Sequence, residues 1–542
     1  MGSEGNLIWE AFERSAGDRP HLLCWDGGYQ PVTWDQWRRG AERSAAGLQA
    51  IGIEPGARVA AVLSNCIGAC NAIPGVWLAG ATLLSLPTMR RGMAPEDYMQ
   101  QLKGLCSSTG AQVLLLEQRF TSLLDEQEFG TPIASFESLD IDAQPTLAPL
   151  DDDAPAFVQY SSGSTSAPKG IVLSMGAISR HERILIEQLD LTPDQRGVSW
   201  LPLSHDMGLF GGLLLSWSAG GCMALSTPER FLRRPETWLD DAADFDATLL
   251  GAPNFGLALA TRKARVRPPK GRCPLRSLVL GGERIELATI EEAHEVLGPF
   301  GVTRTTITPA YGLAEATLAV TLKPIDQAPR SLWIDRESAY RGELAITAAQ
   351  ASGATPVVSC GQPVPGASVA VDGEPMGQIR FRSETLAEGY IDDPQSTAAS
   401  FDNNEFLTAD LGFMQGEELY VLGRTDDVIV FAGRNIHARD IEREIEQLDG
   451  VRLGCSALID GRVDGQPDVV AIAEPASAGA DLPSVASEVA RVAFSSGGLH
   501  ISECVFVAPG KLPKTPSGKV QRYLCRALLE GDGPALLERV QI

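Results

Sequence analysis

The sequence predicts an α/β protein of two unequal parts. The first is a large multi-subdomain N-terminal domain with parallel-rich sheets and a small antiparallel, barrel-like part. The second is a small, mobile α+β C-terminal domain. Three observations predict this. Short runs of Val, Ile and Leu alternate with amphipathic stretches through most of the 542 residues, the rhythm of strands covered on both faces by helices. From about Val364 the apolar runs shorten and are separated by Gly-containing turns, as in antiparallel sheet. The length is also several times that of a typical domain, so more than one cooperative unit is expected.

Taken in order, RVAAVLSN reads as a strand and NAIPGVWLAGA as the helix after it. AQVLLLE, FVQY, GCMALS and SLVLGG are further strands, with helical patterns such as ATIEEAHEVLG between some of them. SVAVDG, GQIRFRS and ELYVLGR form the antiparallel part. After Arg424 come the VIVFAG strand and the helix ARDIEREIEQLDG. The strands GQPDVVAIAEP and ECVFVAP, with a helix near Leu482 to Ser495, then suffice for a small α+β domain. The boundary falls near Arg424 to Asp427, giving domains over 1–425 and 426–542. No internal repeat or low-complexity tract interrupts this order.

Composition narrows the function classes. Apolar residues make up 44% and charged residues 21%, values of a globular chain rather than a disordered one. Sixty-nine acidic against forty-five basic residues give a formal charge of −24, which repels a phosphate backbone and argues against nucleic acid. The ten cysteines include no CxxC pair, the closest being Cys66 and Cys70, and read as reduced, mostly buried thiols of a cytoplasmic protein. Six scattered histidines give no support for a zinc site. The first residues lack the basic and apolar regions of a signal peptide. Two uncharged stretches, Val59 to Met89 and Met207 to Pro228, are broken by polar residues, Gly or Pro, such as Asn65, Asn71 and Pro74 in the first. They read as core rather than as membrane spans.

The chemistry concentrates in five segments. In FVQYSSGSTSAPKGIVLS a strand runs into a loop of Ser161, Ser162, Gly163, Ser164 and Thr165, followed by Lys169 and Gly170. Hydroxyls, flexible N–H groups and one lysine suit the oxygens of a nucleotide triphosphate. This is not a Walker loop, because the second Gly before Lys is absent and Gly170 stands where Ser or Thr is required; a polar surface turn fits the composition as well. TPAYGLAEATLAV places Tyr311 and Glu315 four apart, an aromatic face for adenine and a carboxylate for Mg²⁺. FLTADLG carries Asp410, able to accept from both ribose hydroxyls, and YVLGRTDD carries Arg424. KLPKTPSGKVQR offers Lys519. No GxGxxG fingerprint or GxSxG elbow competes for the assignment.

Together and in this order, the five segments resemble the acyl-adenylate-forming superfamily, which includes acyl-CoA synthetases, luciferases and peptide-synthetase adenylation domains. The resemblance covers nearly the whole chain. It implies ATP and Mg²⁺ as cofactors, with the Ser/Thr/Gly loop and Lys169 on the β- and γ-phosphates. Tyr311 would flank the adenine, Glu315 would bind the metal, and Asp410 with Arg424 would hold the ribose. Gly282, Glu283 and Gly312 would complete the ATP site. Lys519 would bridge substrate carboxylate and α-phosphate, and Asp426 would be the hinge of the small domain.

WLPLSHDMGLFGGLL, GAPNFGLALATRK and YGLAEATL look like the fatty acyl-AMP ligase branch. His205, Met207 and Gly208 would lie at the mouth of the acyl pocket, with Asn254 and Phe255 along its wall. Leu209, Phe210 and Leu213 to Leu215 suit an aliphatic or polycyclic acid, or serve simply as core. The stretch from Thr321 to Val358 resembles the insertion that restrains the small domain in acyl-AMP ligases and suppresses reaction with free CoA. The implied reaction converts an apolar carboxylic acid to acyl-AMP, and the acyl group then passes to a phosphopantetheine thiol. The partner would be an acyl carrier protein or a CoA-transferring enzyme. A complete acyl-CoA synthetase is the alternative; a non-catalytic binder would have little need of Lys519, Glu315, Asp410 and Lys169 together. Three positions depart from the pattern. Ser166 and Ala409 replace glycines, which would slow turnover if either φ were positive, and Asp426 is the hinge residue common in CoA ligases.

Overall fold

The computed structural model describes residues 5–14, 17–89, 93–121, 129–160, 168–431, 434–460, 469–514, 520–529 and 536–542. Among these, two parallel-rich sheets carry the large part. In the nine-stranded sheet, Ile307–Gly312, Ser277–Leu280, Leu249–Ala252, Arg196–Ser199, Cys222–Leu225 and Pro20–Trp25 run parallel in that spatial order. Antiparallel strands close its edges, Ala319–Leu322 and Gln362–Pro363 on one side and Tyr29–Thr33 on the other. In the seven-stranded sheet, Pro155–Tyr160, Thr82–Ser85, Arg58–Ala61, Val113–Leu116 and Ile133–Ser135 are parallel. Gly170–Ser174 and Gly389–Tyr390 are added antiparallel. Strands such as VLLL are buried at every residue, as expected for parallel sheet with both faces covered. The fold class expected from the sequence is therefore borne out.

The stretch after Val364 forms a five-stranded antiparallel sheet that includes Gly377–Ser383, Glu405–Gln415 and Glu418–Arg424. A 3₁₀ turn, Thr425–Asp427, leads out of it. Beyond lie the hairpin Val428–Phe431/Arg434–His437, the helix Ala438–Ile445 and a four-stranded mixed sheet, with an apolar core that includes Ile436, Ile441, Val489 and Phe506. Ala409 lies in the Glu405–Gln415 strand and is not among the residues with positive φ, so the added Cβ carries no left-handed strain. Ser166 lies outside the described residues.

The segment from Thr321 to Val358 divides differently from the sequence expectation. Thr321 and Leu322 belong to a strand of the nine-stranded sheet, and Lys323 is buried with Nζ donating to the carbonyls of Thr305, Pro324 and Gln327. The separable unit is the hairpin Ser331–Asp335/Ala354–Val358, whose connection carries the helix Arg336–Tyr340. Burial at Thr321 and Lys323 is a tertiary property, which hydrophobic patterning does not reveal.

Two polar residues of the Met175–Gln188 helix are buried completely, with opposite outcomes. His181 Nε2 accepts the Ala319 N–H at 3.1 Å while Nδ1 meets Thr385 Oγ1 at 3.2 Å, and burial pushes its pKa down to about 3. Glu182 has no hydrogen-bond partner on either oxygen among the described residues, and burial raises its pKa well above the carboxylate range. Glu182→Met should therefore stabilise the protein by about 1–3 kcal/mol, the cost of an unsatisfied buried polar group. The sign with pH follows from the raised folded value. The wild type is least penalised below 4.5 and loses stability as pH rises towards that value, so the gain should be larger at pH 8 than at pH 5. Denaturant melts of both proteins at the two pH values check this; equal stabilities at pH 8 would contradict it.

Candidate active site

The C-terminal edges of the two sheets face each other across a cleft, the place where open α/β sheets bind ligands. Asn65 ties the edges together: Nδ2 donates to the carbonyls of Leu201 and Ser226 at 2.9 and 2.7 Å, and Oδ1 accepts the Leu203 N–H at 3.0 Å. One continuous cavity there is lined by Lys169, His205, Met207, Asn254, Phe255, Gly282, Glu283, Tyr311, Gly312, Glu315, Asp410, Arg424 and Asp426. Sequence analysis singled out all of these, although they are scattered over 258 positions. Gly208 lies behind the lining; a Cβ there would sit 2.1 Å from the Pro202 carbonyl oxygen, so only glycine lets the backbone approach this closely. Ser161, Ser162, Gly163, Ser164, Thr165 and Lys519 lie outside the described residues.

Two polar chains run along one wall. In the first, Tyr311 at the end of the Ile307–Gly312 strand donates its hydroxyl to Asp410 Oδ2 at 2.7 Å. Arg424 is paired in register with Asp410 across two antiparallel strands, with Nε 3.7 Å from Oδ1. Arg424 also stands 3.9 Å from Asp426. Burial works against the Arg424 charge, but Asp410, Asp426 and Asp427 outweigh it and raise the pKa. Burial, then Asp410, holds the Tyr311 hydroxyl far above its usual range, so it remains a donor.

The second chain is Lys169–Tyr390–Glu315. Lys169 Nζ lies 4.8 Å above the Tyr390 ring, a cation–π distance. The Tyr390 hydroxyl donates to Glu315 Oε1 at 3.1 Å. Burial pushes the Glu315 carboxyl up to about 7. Tyr390 comes from the two-residue strand Gly389–Tyr390 beside Gly170–Ser174, and sequence analysis missed it because AEGYIDD resembles an ordinary turn.

Glu315 sits on the 3₁₀ turn Ala314–Ala316, which ends at Thr317 with φ 71° and ψ −57°. A β-branched residue at positive φ is strained, by about 1–3 kcal/mol. Surrounding bonds hold it in place. Thr317 Oγ1 donates to the Thr385 carbonyl at 2.9 Å, Thr385 Oγ1 donates to the Ala316 carbonyl at 3.1 Å, and the Ala387 N–H donates to the Glu315 carbonyl at 2.8 Å.

The same cavity continues into an apolar recess lined by Met207 and Phe255. Asp206 Oδ1 accepts the Met207 N–H at 2.6 Å and stands 2.6 Å from His205 Nδ1, which fixes the imidazole at the start of the turn Asp206–Gly208. The Phe255 N–H donates to Glu283 Oε1 at 2.6 Å, and Asn254 Oδ1 accepts the Glu286 N–H at 3.0 Å. Phe255 meets Trp200 edge-on at 6.1 Å, and Trp200 stacks on Phe231 at 3.8 Å. Gly282, at φ 76°, makes the turn that brings Glu283 under Phe255.

Comparison with known proteins agrees with this geometry. Residues 9–391 match the family described as AMP-binding enzyme. A 4-hydroxyphenylalkanoate adenylyltransferase of Mycobacterium marinum is 31% identical over 95% of this chain and 88% of its own. The long-chain-fatty-acid–AMP ligase FadD26 of the same species is 31% identical over 94% of this chain and 93% of its own. Among solved structures, a fatty acyl-adenylate ligase from work on the E. coli and L. pneumophila enzymes shares the fold. Its TM-score is 0.88 at 23% identity, covering 98% of this chain and 99% of that one.

Proposed function

The chain belongs to the AMP-binding enzyme family, on its fatty acyl-AMP ligase branch, and from that premise we propose that it joins an apolar carboxylic acid to AMP with release of pyrophosphate. The observation that carries this reading is the pair of polar chains, Tyr311–Asp410–Arg424 and Lys169–Tyr390–Glu315, lining one cavity with the apolar side chains of Met207 and Phe255. In this reading Asp410, oriented by Tyr311 and Arg424, accepts from the ribose hydroxyls. Tyr311, Gly312, Gly282 and Glu283 border the adenine. Lys169, with the loop Ser161, Ser162, Gly163, Ser164 and Thr165, holds the β- and γ-phosphates.

The acid lies with its chain towards Phe255 and its carboxylate near His205. A carboxylate oxygen attacks the α-phosphorus, the P–O bond to pyrophosphate breaks, and Lys519 neutralises the charge gathered on both groups. No covalent bond to the protein forms.

Among the described residues no cluster of three His, Cys, Asp or Glu could hold a metal alone. Glu315, a carboxylate lining the cavity beside Lys169 and Tyr390, takes one hydrogen bond from the Tyr390 hydroxyl, and burial pushes its pKa up to about 7, which fits a hard cation shared with substrate phosphates. Bound there, Mg²⁺ would supply positive charge against the phosphate oxygens.

The acid is apolar. Asp206, the carboxylate of the HDMG segment, is turned onto the Met207 N–H and His205 rather than left for an α-ammonium group. Incubation with ATP, Mg²⁺ and a panel of acids, read by mass spectrometry, should give acyl-AMP from medium or long acyl chains or polycyclic acids and none from α-amino acids. Robust activity with an amino acid and none with apolar acids would overturn the reading.

The acceptor is a phosphopantetheine thiol on a carrier protein rather than free CoA, favoured by the packing of the Ser331–Val358 unit against the C-terminal part. We take residues 1–425 and 426–542 as the two domains, with Asp426 as hinge. The ten free thiols suit a cytoplasmic location. Among the described residues no helix is long and apolar enough to cross a membrane.

A further inference from the structure

The apolar recess and the C-terminal part meet at the short loop of residues 281–286. On its inner side, Glu283 accepts the Phe255 N–H at 2.6 Å and the Glu286 N–H is held by Asn254 Oδ1 at 3.0 Å. Both partners begin the helix Asn254–Val266, which walls the recess. On its outer side, Arg284 pairs with Asp440, with side chains 13% and 6% exposed, and the Glu286 carboxylate stands 3.1 Å from Arg443. Asp440 and Arg443 share the helix Ala438–Ile445. That helix also carries Glu444, 3.2 Å from Arg336 of the Arg336–Tyr340 helix, whose Glu337 pairs with Arg434 at 2.6 Å. One eight-residue helix is thus gripped by the recess loop on one side and by the Ser331–Val358 unit on the other.

We propose that Arg284 and Glu286 are positioning residues for adenylation, making the shape of the acid pocket depend on whether the Ala438–Ile445 helix is docked. This rests on reading the cleft as an adenylation site. When the helix leaves, Arg284 loses Asp440 and keeps only Glu286 as a nearby carboxylate, while Glu286 loses Arg443, so the pairs that fix the loop from outside are gone. The guanidinium then swings towards water or Glu286. Glu283 and Glu286 lie within two residues of Arg284, so that swing disturbs the bonds to Phe255 and Asn254. The acid therefore binds well only with the helix seated. By reciprocity, bound acid holds the helix in place. Gly282 and Glu283, which border the adenine in this reading, belong to the same loop, so nucleotide binding weakens too, but less than acid binding, because the Tyr311–Asp410–Arg424 chain that holds the ribose lies on other elements.

The test uses the full chain with dodecanoate and, as bound-state probe, the dodecanoyl sulfamoyl analogue of the adenylate. Arg336→Ala with Glu337→Ala loosens the helix from the side remote from both substrates. Asp440→Asn loosens it at the loop, and Arg284→Met with Asp440→Leu replaces the buried pair by apolar side chains. The first two variants should raise KM for dodecanoate about tenfold, with kcat at saturation within about twofold and a clearly smaller rise in KM for ATP, while the apolar pair restores KM. Hydrogen exchange should quicken in Ala438–Ile445 and at Asn254–Phe255 together, and the analogue should slow both. If Asp440→Asn fails to fold, the more exposed Arg443→Gln takes its place. Unchanged dodecanoate KM with faster exchange in the helix would overturn the proposal, as would equal rises in both KM values. A wild-type protein that adenylates no acid at all would sink the functional reading instead, and is measured first.

Discussion

Lys519→Ala should lower acyl-AMP formation by about a hundredfold or more, the effect of removing one preorganised donor from a charge-developing transition state. ATP binding should change little, because Tyr311, Asp410 and Arg424 belong to the large part. Lys519 falls in residues 515–519, outside the described ones. The residues on either side, Lys514 and Val520, pair in an isolated bridge and both line the cleft. Titration calorimetry with ATP and pyrophosphate exchange separate the two quantities. Exchange persisting near the wild-type rate would remove Lys519 from the mechanism.

With free CoA present, the intact enzyme should accumulate acyl-AMP and make little thioester, and replacing residues 336–353 by a short turn should raise thioester formation about tenfold or more. The expectation comes from what the small part would lose on rotating away. Tyr340 is 1% exposed within the C-terminal core, and its helix contributes the Arg336–Glu444 and Glu337–Arg434 pairs. Exposing one large apolar side chain costs about 1.5–3 kcal/mol, and each ~1.4 kcal/mol lowers the rotated population tenfold. The cut must spare Thr321 and Lys323. Thr321 Oγ1 donates to the Cys360 carbonyl at 2.8 Å within the nine-stranded sheet, so removing the whole stretch from Thr321 would damage the fold. Rapid acyl-CoA synthesis by the intact chain would reduce the Ser331–Val358 unit to a surface feature and return the function to acyl-CoA synthetase.

What could be read from the sequence follows from what local chemistry fixes. Continuous apolar runs such as VLLL and SLVL announced doubly covered strands, and Tyr311, Glu315, Asp410 and Arg424 stood out because each sits in a short motif with its own chemistry. Tyr390 did not, because its role arises only when Gly389–Tyr390 adds to the edge of a sheet more than two hundred residues earlier in the chain. Arg284, Glu286, Asp440 and Arg443 sit in no motif with a chemistry of its own; only docking of one helix against the recess loop makes them partners. Asn65 left a trace, a polar residue inside an uncharged stretch, but nothing local named the three backbone groups it joins.

The strained turn at Thr317 bears on engineering. Glycine would accept φ 71° without the clash of a β-branched side chain, so a selection for heat tolerance alone would favour replacing this residue. The Thr317 hydroxyl helps anchor the turn that carries Glu315 to the segment leading to Tyr390. A variant chosen that way would be sturdier and, with Glu315 in the role proposed above, slower, because its carboxylate would be less firmly placed. Thermal robustness and turnover are set against each other at this one backbone position, and a library meant to improve both should hold Thr317 fixed.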